Sequence, residues 1–185
     1  AYSYRAEKQK HSTEMHSSTA SFTRRKASFL ILTANASKLT AVFTALRSAK
    51  TNKEISDIVK EANYDDSCIG IITWCHTFSP SKMWINGLSR LQKPYCHLAT
   101  QYNREIPANE IDMDFMNLNQ AAHGDREHGF IAARLRMPRK VIAGYWQDEN
   151  VQTKIGSWMK AAVGVAVSKS MKVMRFGDNM REVAV

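Results

Sequence analysis

From residue 51 onward, apolar and polar positions follow an ordered pattern. Thr51 and Glu54 fit a capping box, in which the Thr hydroxyl accepts a hydrogen bond from the Glu54 backbone N–H. Apolar residues continue at helical spacing to Ala62, and the amide and acidic run 63–66 predicts the end of the helix. The apolar run 68–74 then predicts a strand buried on both faces.

The same alternation repeats along the rest of the chain. A long polar connection over residues 101–124 is expected to be partly helical near 115–118. After the first helix, further helices are predicted from Ser79-Pro80 to just before Pro94, over 125–136 and over 149–168. After the first strand, further strands are predicted over 95–100, 141–145 and 172–176. Alternating strands and helices predict an α/β fold with a parallel sheet covered by helices on both faces.

Residues 1–50 differ from the rest in composition. Ser and Thr occupy fourteen of these positions, and neither Gly nor Pro occurs before Gly70. Such a segment is typical of organelle transit peptides, but a shuffled, frame-shifted or disordered stretch has the same composition and is the favoured interpretation. Within it, 29–32 is predicted to form a short strand and 41–46 a helix. The predicted organisation is a basic segment, 1–50, followed by an α/β domain, 51–185.

Net charge argues against a nucleic-acid partner. The total is +9, but residues 1–50 hold nine Lys/Arg against two acids, whereas residues 51–185 hold 17 against 15. The predicted domain is therefore almost neutral and lacks the basic excess of a nucleic-acid-binding face. No apolar run approaches the roughly 18 residues of a membrane span. Three cysteines without a C-x-x-C pair predict reduced thiols and a cytoplasmic protein.

Polar clusters follow each predicted strand. Ligands of open parallel sheets bind beyond the carboxyl ends of the strands, so these clusters are expected to share one edge. They are 75–79, 101–103, 146–148 and 177–181. Their amides, hydroxyls and indoles suit a neutral polyol, and no Gly-rich phosphate-binding motif is present.

No catalytic or metal-binding motif can be assigned from spacing alone. His123 and His128 are five residues apart, which places them on different faces of a helix. Asp112 and Asp114 could act as an acid–base pair, but a solvated loop is the favoured explanation. Spacing selects no Ser-His-Asp or Cys-His arrangement.

Several blocks of sequence are similar to those of the bacterial L-arabinose isomerases. The resemblance covers residues 51–185, and nothing in 1–50 matches the Gln-His-Leu-Tyr-Gly loop with which the family opens. The matching blocks are Ala62–Asp66, His76–Pro80, Ile111–Gln120, Ala122–Gly124, Trp146–Asp148 and Arg175–Val185.

The resemblance implies a Rossmann-like N-terminal domain that builds part of a sugar pocket within a homo-hexamer. The pocket positions that carry over are Phe78, Gln120, His123 and Met180. Phe78 and Met180 would form apolar walls, and Gln120 and His123 would hydrogen-bond sugar hydroxyls. Without a family-type opening strand, one edge of the sheet is expected to be unpaired and the chain poorly soluble or oligomeric.

The family interconverts L-arabinose and L-ribulose with a divalent metal, usually Mn²⁺, which acts as a Lewis acid. The family's metal ligands and acid–base glutamates fall outside this sequence. The resemblance therefore implies no catalytic residue and no Mn²⁺ ligand here, and an inactive isolated chain. The alternative is a non-catalytic sugar-binding or assembly module, or a decayed gene product.

Overall fold

The computed structural model describes residues 27–35, 40–75 and 79–177. Its described strands form one sheet in the order β2-β1-β3-β4-β5. The elements along the chain are β1 (Ala27–Asn35), β2 (Thr40–Ala49), α1 (Asn52–Tyr64), β3 (Cys68–Trp74), α2 (Lys82–Leu88), β4 (Tyr95–Ala99), α3 (Met113–Leu118), α4 (Ala121–Arg134), β5 (Lys140–Ala143) and α5 (Glu149–Ser168).

The capping box at the start of α1 forms with one change of partner. The Glu54 backbone N–H donates to Thr51 Oγ1 at 3.2 Å, as predicted. The Glu54 carboxylate, however, accepts from the Lys50 N–H at 2.5 Å, one residue before the cap. The first contact satisfies a backbone donor that a helix start leaves without an intrahelical partner, and the second ties the residue before the cap to the first turn of α1.

The centre of the fold is a three-stranded parallel sheet with helices on both faces. Strand β3 is buried along its whole length and pairs in parallel with β4, which pairs in parallel with β5. Ile71 packs with α1 and α2 on one face, whereas Ile72 packs with α5 on the other. The predicted α/β, Rossmann-like fold class is confirmed.

The first described strands extend this sheet in the antiparallel sense. Strand β1 pairs with β3, and β2 pairs with β1. The strand predicted at 29–32 lies within β1, but the helix predicted at 41–46 is wrong because those residues belong to β2. The edge of β3 that was expected to lack a partner is paired with β1.

Several predicted boundaries move. Helix α2 begins after Ser81 rather than at Ser79, and α4 begins four residues earlier than predicted, after Gln120. The strand predicted at 172–176 is wrong, because these residues form no ladder with the described sheet. Val173 and Phe176 are 81% and 91% exposed, so the apolar pattern there finds no neighbouring strand to bury it. Among the described residues, no helix combines the length and apolar character needed to span a bilayer.

Candidate functional site

Polar side chains meet at the edge of the sheet where the parallel strands end. The indole of Trp146, just after β5, donates to the Tyr102 carbonyl at 3.1 Å. Arg104 forms an ion pair with Asp148 across the same gap. The clusters 101–103 and 146–148 therefore lie together, as the sequence predicts. Of the other two clusters, 76–78 and 178–181 lie outside the described residues.

A cavity of about 270 Å³ opens at this edge. Its walls combine the ends of β4 and β5 with the first turn of α4, which brings amide, guanidinium and carboxyl groups around one space. The lining residues are Ala99, Thr100, Gln101, Asn103, Arg104, Ala121, Ala122, Asp125, Gly144 and Tyr145. A small cavity with several convergent polar groups is a candidate ligand site.

Two of the four predicted sugar-contacting residues are sequence neighbours of Ala121 and Ala122, which line this cavity. Gln120 is the half-buried N-cap residue of α4, and its side chain makes no capping hydrogen bond. His123, one turn further, is exposed, with Nδ1 3.7 Å from Glu127 Oε1. Neither is among the residues that line the cavity. Phe78 and Met180 lie outside the described residues, so the four-residue pocket stays a prediction.

Beneath the cavity, Thr73, His97 and Asp125 form a hydrogen-bonded chain. The His97 ring is almost fully buried; its Nδ1 lies 2.8 Å from Thr73 Oγ1 and its Nε2 lies 2.8 Å from Asp125 Oδ1. Burial lowers the pKa of His97 to about 4, with a smaller contribution from the positive charge of Arg139. Burial raises the pKa of Asp125 to about 8.

Both shifts favour the neutral forms, a deprotonated His97 ring and a protonated Asp125 carboxyl. The protonated Asp125 carboxyl then donates to His97 Nε2, and the Nδ1–H of the ring donates to the Thr73 hydroxyl. A neutral chain of this kind carries no buried net charge, which is why it is tolerated in the core.

His128 lies against this chain without joining it. Its ring stacks on His97, and the ring of Trp84 meets it edge-on at 4.9 Å between centroids. Neither His128 nitrogen has a hydrogen-bond partner, and burial lowers its pKa to about 2. The prediction that His123 and His128 occupy different helix faces is confirmed, because one is exposed and the other is buried.

Cys75, the residue after β3, completes the group. One potential ligand atom from each of Cys75, His97 and Asp125 lies within 4.8 Å of the other two. The thiol is fully buried and its pKa is raised by that burial. Sequence reasoning missed this group because its members come from three separate elements. The one available signal was a histidine in the middle of an otherwise apolar strand.

The Mn²⁺ ion implied by the family resemblance does not fit this group. Mn²⁺ favours carboxylate, carbonyl and water oxygens, whereas Cys75 offers a buried sulfur and His97 an imidazole nitrogen. Within the described residues, no other cluster of three His, Cys, Asp or Glu side chains converges closely enough to hold an ion.

Comparison with known proteins identifies the family. The sequence model described as the L-arabinose isomerase N-terminal domain matches residues 21–170. The match thus begins before residue 51, the predicted domain boundary. That boundary stays a prediction.

Curated relatives agree with this match. The L-arabinose isomerase of Thermotoga petrophila is 59% identical over 135 residues, covering 73% of this chain and 27% of the relative. L-arabinose isomerase 1 of Bacillus licheniformis is 63% identical over 131 residues, covering 71% of this chain and 27% of the relative. The L-arabinose isomerase of Halalkalibacterium halodurans is 62% identical over 135 residues, with coverages of 73% and 27%.

The chain thus spans about a quarter of the length of these relatives. The chain belongs to the L-arabinose isomerase N-terminal domain family.

Proposed function

We propose that this chain is the N-terminal part of an L-arabinose isomerase, which interconverts L-arabinose and L-ribulose. The observation that carries the proposal is identity of about 60% over more than 130 residues with proteins of that name. The working enzyme is proposed to be a cytoplasmic homo-hexamer, as the family resemblance implies.

Within that enzyme, the polar edge would contribute part of the sugar pocket. Gln120 and His123 would hydrogen-bond sugar hydroxyls, and Phe78 and Met180 would contact the carbon face. Support comes from the start of α4, where Gln120 is the N-cap residue and His123 lies in the first turn, on either side of Ala121 and Ala122, which line the cavity. The Gln120 amide and the His123 imidazole are both at least partly exposed, so they can hydrogen-bond a ligand without any charged group having to be buried.

The isolated chain is proposed to be inactive. The family's Mn²⁺ ligands and acid–base glutamates are expected in the part of the relatives that this chain does not match. The Cys75, His97 and Asp125 group does not suit Mn²⁺, so it does not replace that site.

A hybrid enzyme tests this proposal. Residues 51–185 replace the matching segment of the Bacillus licheniformis isomerase, and L-ribulose formation from L-arabinose is measured with Mn²⁺. We expect turnover by the hybrid and none by the 185-residue chain. A Gln120→Ala hybrid should show a KM raised by about tenfold, since one good hydrogen bond contributes about 1.4 kcal/mol. Lys160→Ala, an exposed change on α5, is the matched control.

Three results would count against parts of the proposal. A folded hybrid without activity would contradict the isomerase assignment. An unchanged KM in the Gln120→Ala hybrid would remove Gln120 from the pocket. Turnover by the isolated chain would show that the catalytic groups are present in it. L-Arabinose binding by the isolated chain without turnover, measured by calorimetry, would favour the non-catalytic sugar-binding module.

A further inference from the structure

We propose that Cys75, His97 and Asp125 form a binding site for a zinc-class divalent metal ion, separate from the family's manganese site. The three potential ligand atoms lie within 4.8 Å of one another. Bonds of about 2.0–2.3 Å to a tetrahedral zinc ion place its ligand atoms roughly 3.3–3.8 Å apart. Small side-chain shifts would therefore fit an ion into the group: His97 Nε2 and Asp125 Oδ1, now 2.8 Å apart, must separate slightly, and any wider pair must close.

The His97 ring is already oriented as a metal ligand would be. Its Nδ1 is held 2.8 Å from the Thr73 hydroxyl, which is fully buried on β3. Metal-bound histidines commonly donate their second ring N–H to an oxygen in this way, and the contact fixes the tautomer. The lone pair of Nε2 then faces Asp125 and becomes available to an ion once the Asp125 carboxyl loses the proton that it donates to this nitrogen.

Close packing of α4 against the end of β3 brings the other two ligands into reach. A Cβ at Gly124 would lie 3.2 Å from Cys75 Cβ and 3.4 Å from Ser79 Cβ, so glycine permits this approach. Asp125 is the next residue, and its carboxyl oxygen reaches His97 Nε2 at 2.8 Å. The three ligands are thus carried by the end of β3, by β4 and by α4.

The cavity at the sheet edge gives an ion its route and its fourth ligand. Cys75 and His97 are buried, whereas Asp125 lines the cavity. An ion entering past Asp125 would meet the thiol and imidazole behind it, with a water molecule on the cavity side. Three protein ligands and one open position are typical of zinc sites that exchange a ligand.

The donor set selects the metal. Sulfur and imidazole nitrogen favour zinc and its relatives, whereas manganese favours oxygen. On binding, the Cys75 thiol and the Asp125 carboxyl each release one proton to solvent, and His97 binds as the neutral ring. One thiolate and one carboxylate balance the two charges of the ion, so no buried net charge results.

Cobalt binding to the full 185-residue chain is the test. Co²⁺ reports thiolate ligation by a charge-transfer absorption that Zn²⁺ displacement abolishes. We expect one equivalent to produce this absorption, and one equivalent of Zn²⁺ to remove it and raise the unfolding temperature. Cys75→Ala should abolish the absorption. Cys96→Ala is the matched control, because Cys96 is equally buried but packs in the core under α5.

Two further variants keep the test decisive if Cys75→Ala fails to fold. Asp125→Asn, at the partly exposed cavity wall, should weaken Co²⁺ binding by at least about tenfold. Thr73→Val should weaken it about 10–100-fold, as loss of a supporting hydrogen bond to a ligand does. Absence of the cobalt–thiolate absorption in the folded chain would overturn the proposal. So would an absorption that survives in Cys75→Ala or disappears in Cys96→Ala.

Discussion

His97 and His128 stack face to face, with 3.9 Å between ring centroids and 12° between ring planes. Both rings are buried, but they are held differently. His97 is hydrogen-bonded through both nitrogens, whereas His128 is bonded through neither. His97 thus belongs to a hydrogen-bonded chain. His128 only packs against its neighbours as a flat ring, and its two buried nitrogens make no hydrogen bond that offsets their loss of hydration.

Replacing His128 should therefore increase stability. His128→Phe keeps a flat ring between His97 and Trp84 and removes two buried nitrogens without partners, each a desolvation cost. We expect the free energy of unfolding to rise by about 1–2 kcal/mol at pH 7, measured by urea denaturation. His97→Phe is the matched control and should lower it, because Thr73 and Asp125 lose their partner. A His128→Phe chain less stable than the parent would contradict this account.

Acid should destabilise the chain through the same pair. Burial holds the pKa of His97 at about 4 and that of His128 at about 2, below the ordinary value of 6.5. Below about pH 6 the unfolded chain takes up protons on both imidazoles that the folded rings refuse. This uptake exceeds the one proton that the raised pKa of Asp125 keeps on the folded chain, so stability falls as pH falls. Urea denaturation from pH 7 to pH 4.5, with EDTA present, measures the slope. The His128→Phe chain lacks one of the two titrating rings, so its free energy of unfolding should fall less steeply as pH falls. An identical slope in both chains would show that His128 does not titrate in this way.

Two glycines predict opposite effects of the same substitution. A Cβ at Gly87 in α2 would lie 2.7 Å from Ile55 Cγ2 and 3.3 Å from the Ile55 carbonyl oxygen. Gly87→Ala should lower the free energy of unfolding by about 1–3 kcal/mol, because α1 and α2 must separate. At Gly164 in α5, a Cβ would meet nothing within 4 Å. Gly164→Ala should therefore raise it by about 0.5–1 kcal/mol. Thermal and urea unfolding of both variants measure these changes in the free energy of unfolding, and changes of the same sign would contradict the prediction.

The three cysteines should be unreactive while the chain is folded. All are buried, and burial raises the pKa of each thiol, that of Cys96 to about 12. Since the thiolate is the reactive form, a disulfide reagent at pH 8 should modify the native chain slowly. In guanidinium chloride it should modify three thiols rapidly. Fast modification of one native thiol would show that its surroundings open to solvent.

Local pattern was enough for the elements whose cause is local. Helix α5 spans Glu149–Ser168, as predicted, and the Thr51 cap and the buried strand β3 also follow from short stretches of sequence. Capping, helical spacing and a continuous apolar run act over a few residues. The sequence blocks around Gln120 and His123 similarly indicate the family without any knowledge of contacts.

Pairing and convergence were decided by the tertiary structure. Residues 41–46 have a helix-compatible pattern, yet they form β2 because β1 supplies a hydrogen-bonding edge. Residues 172–176 have a strand pattern, yet they stay exposed because no described strand lies beside them. Cys75, His97 and Asp125 meet only because β3, β4 and α4 converge, and no spacing along the chain encodes that meeting. A hydrogen bond between strands or a group of ligands requires neighbours brought from elsewhere in the chain, and only the folded molecule provides them.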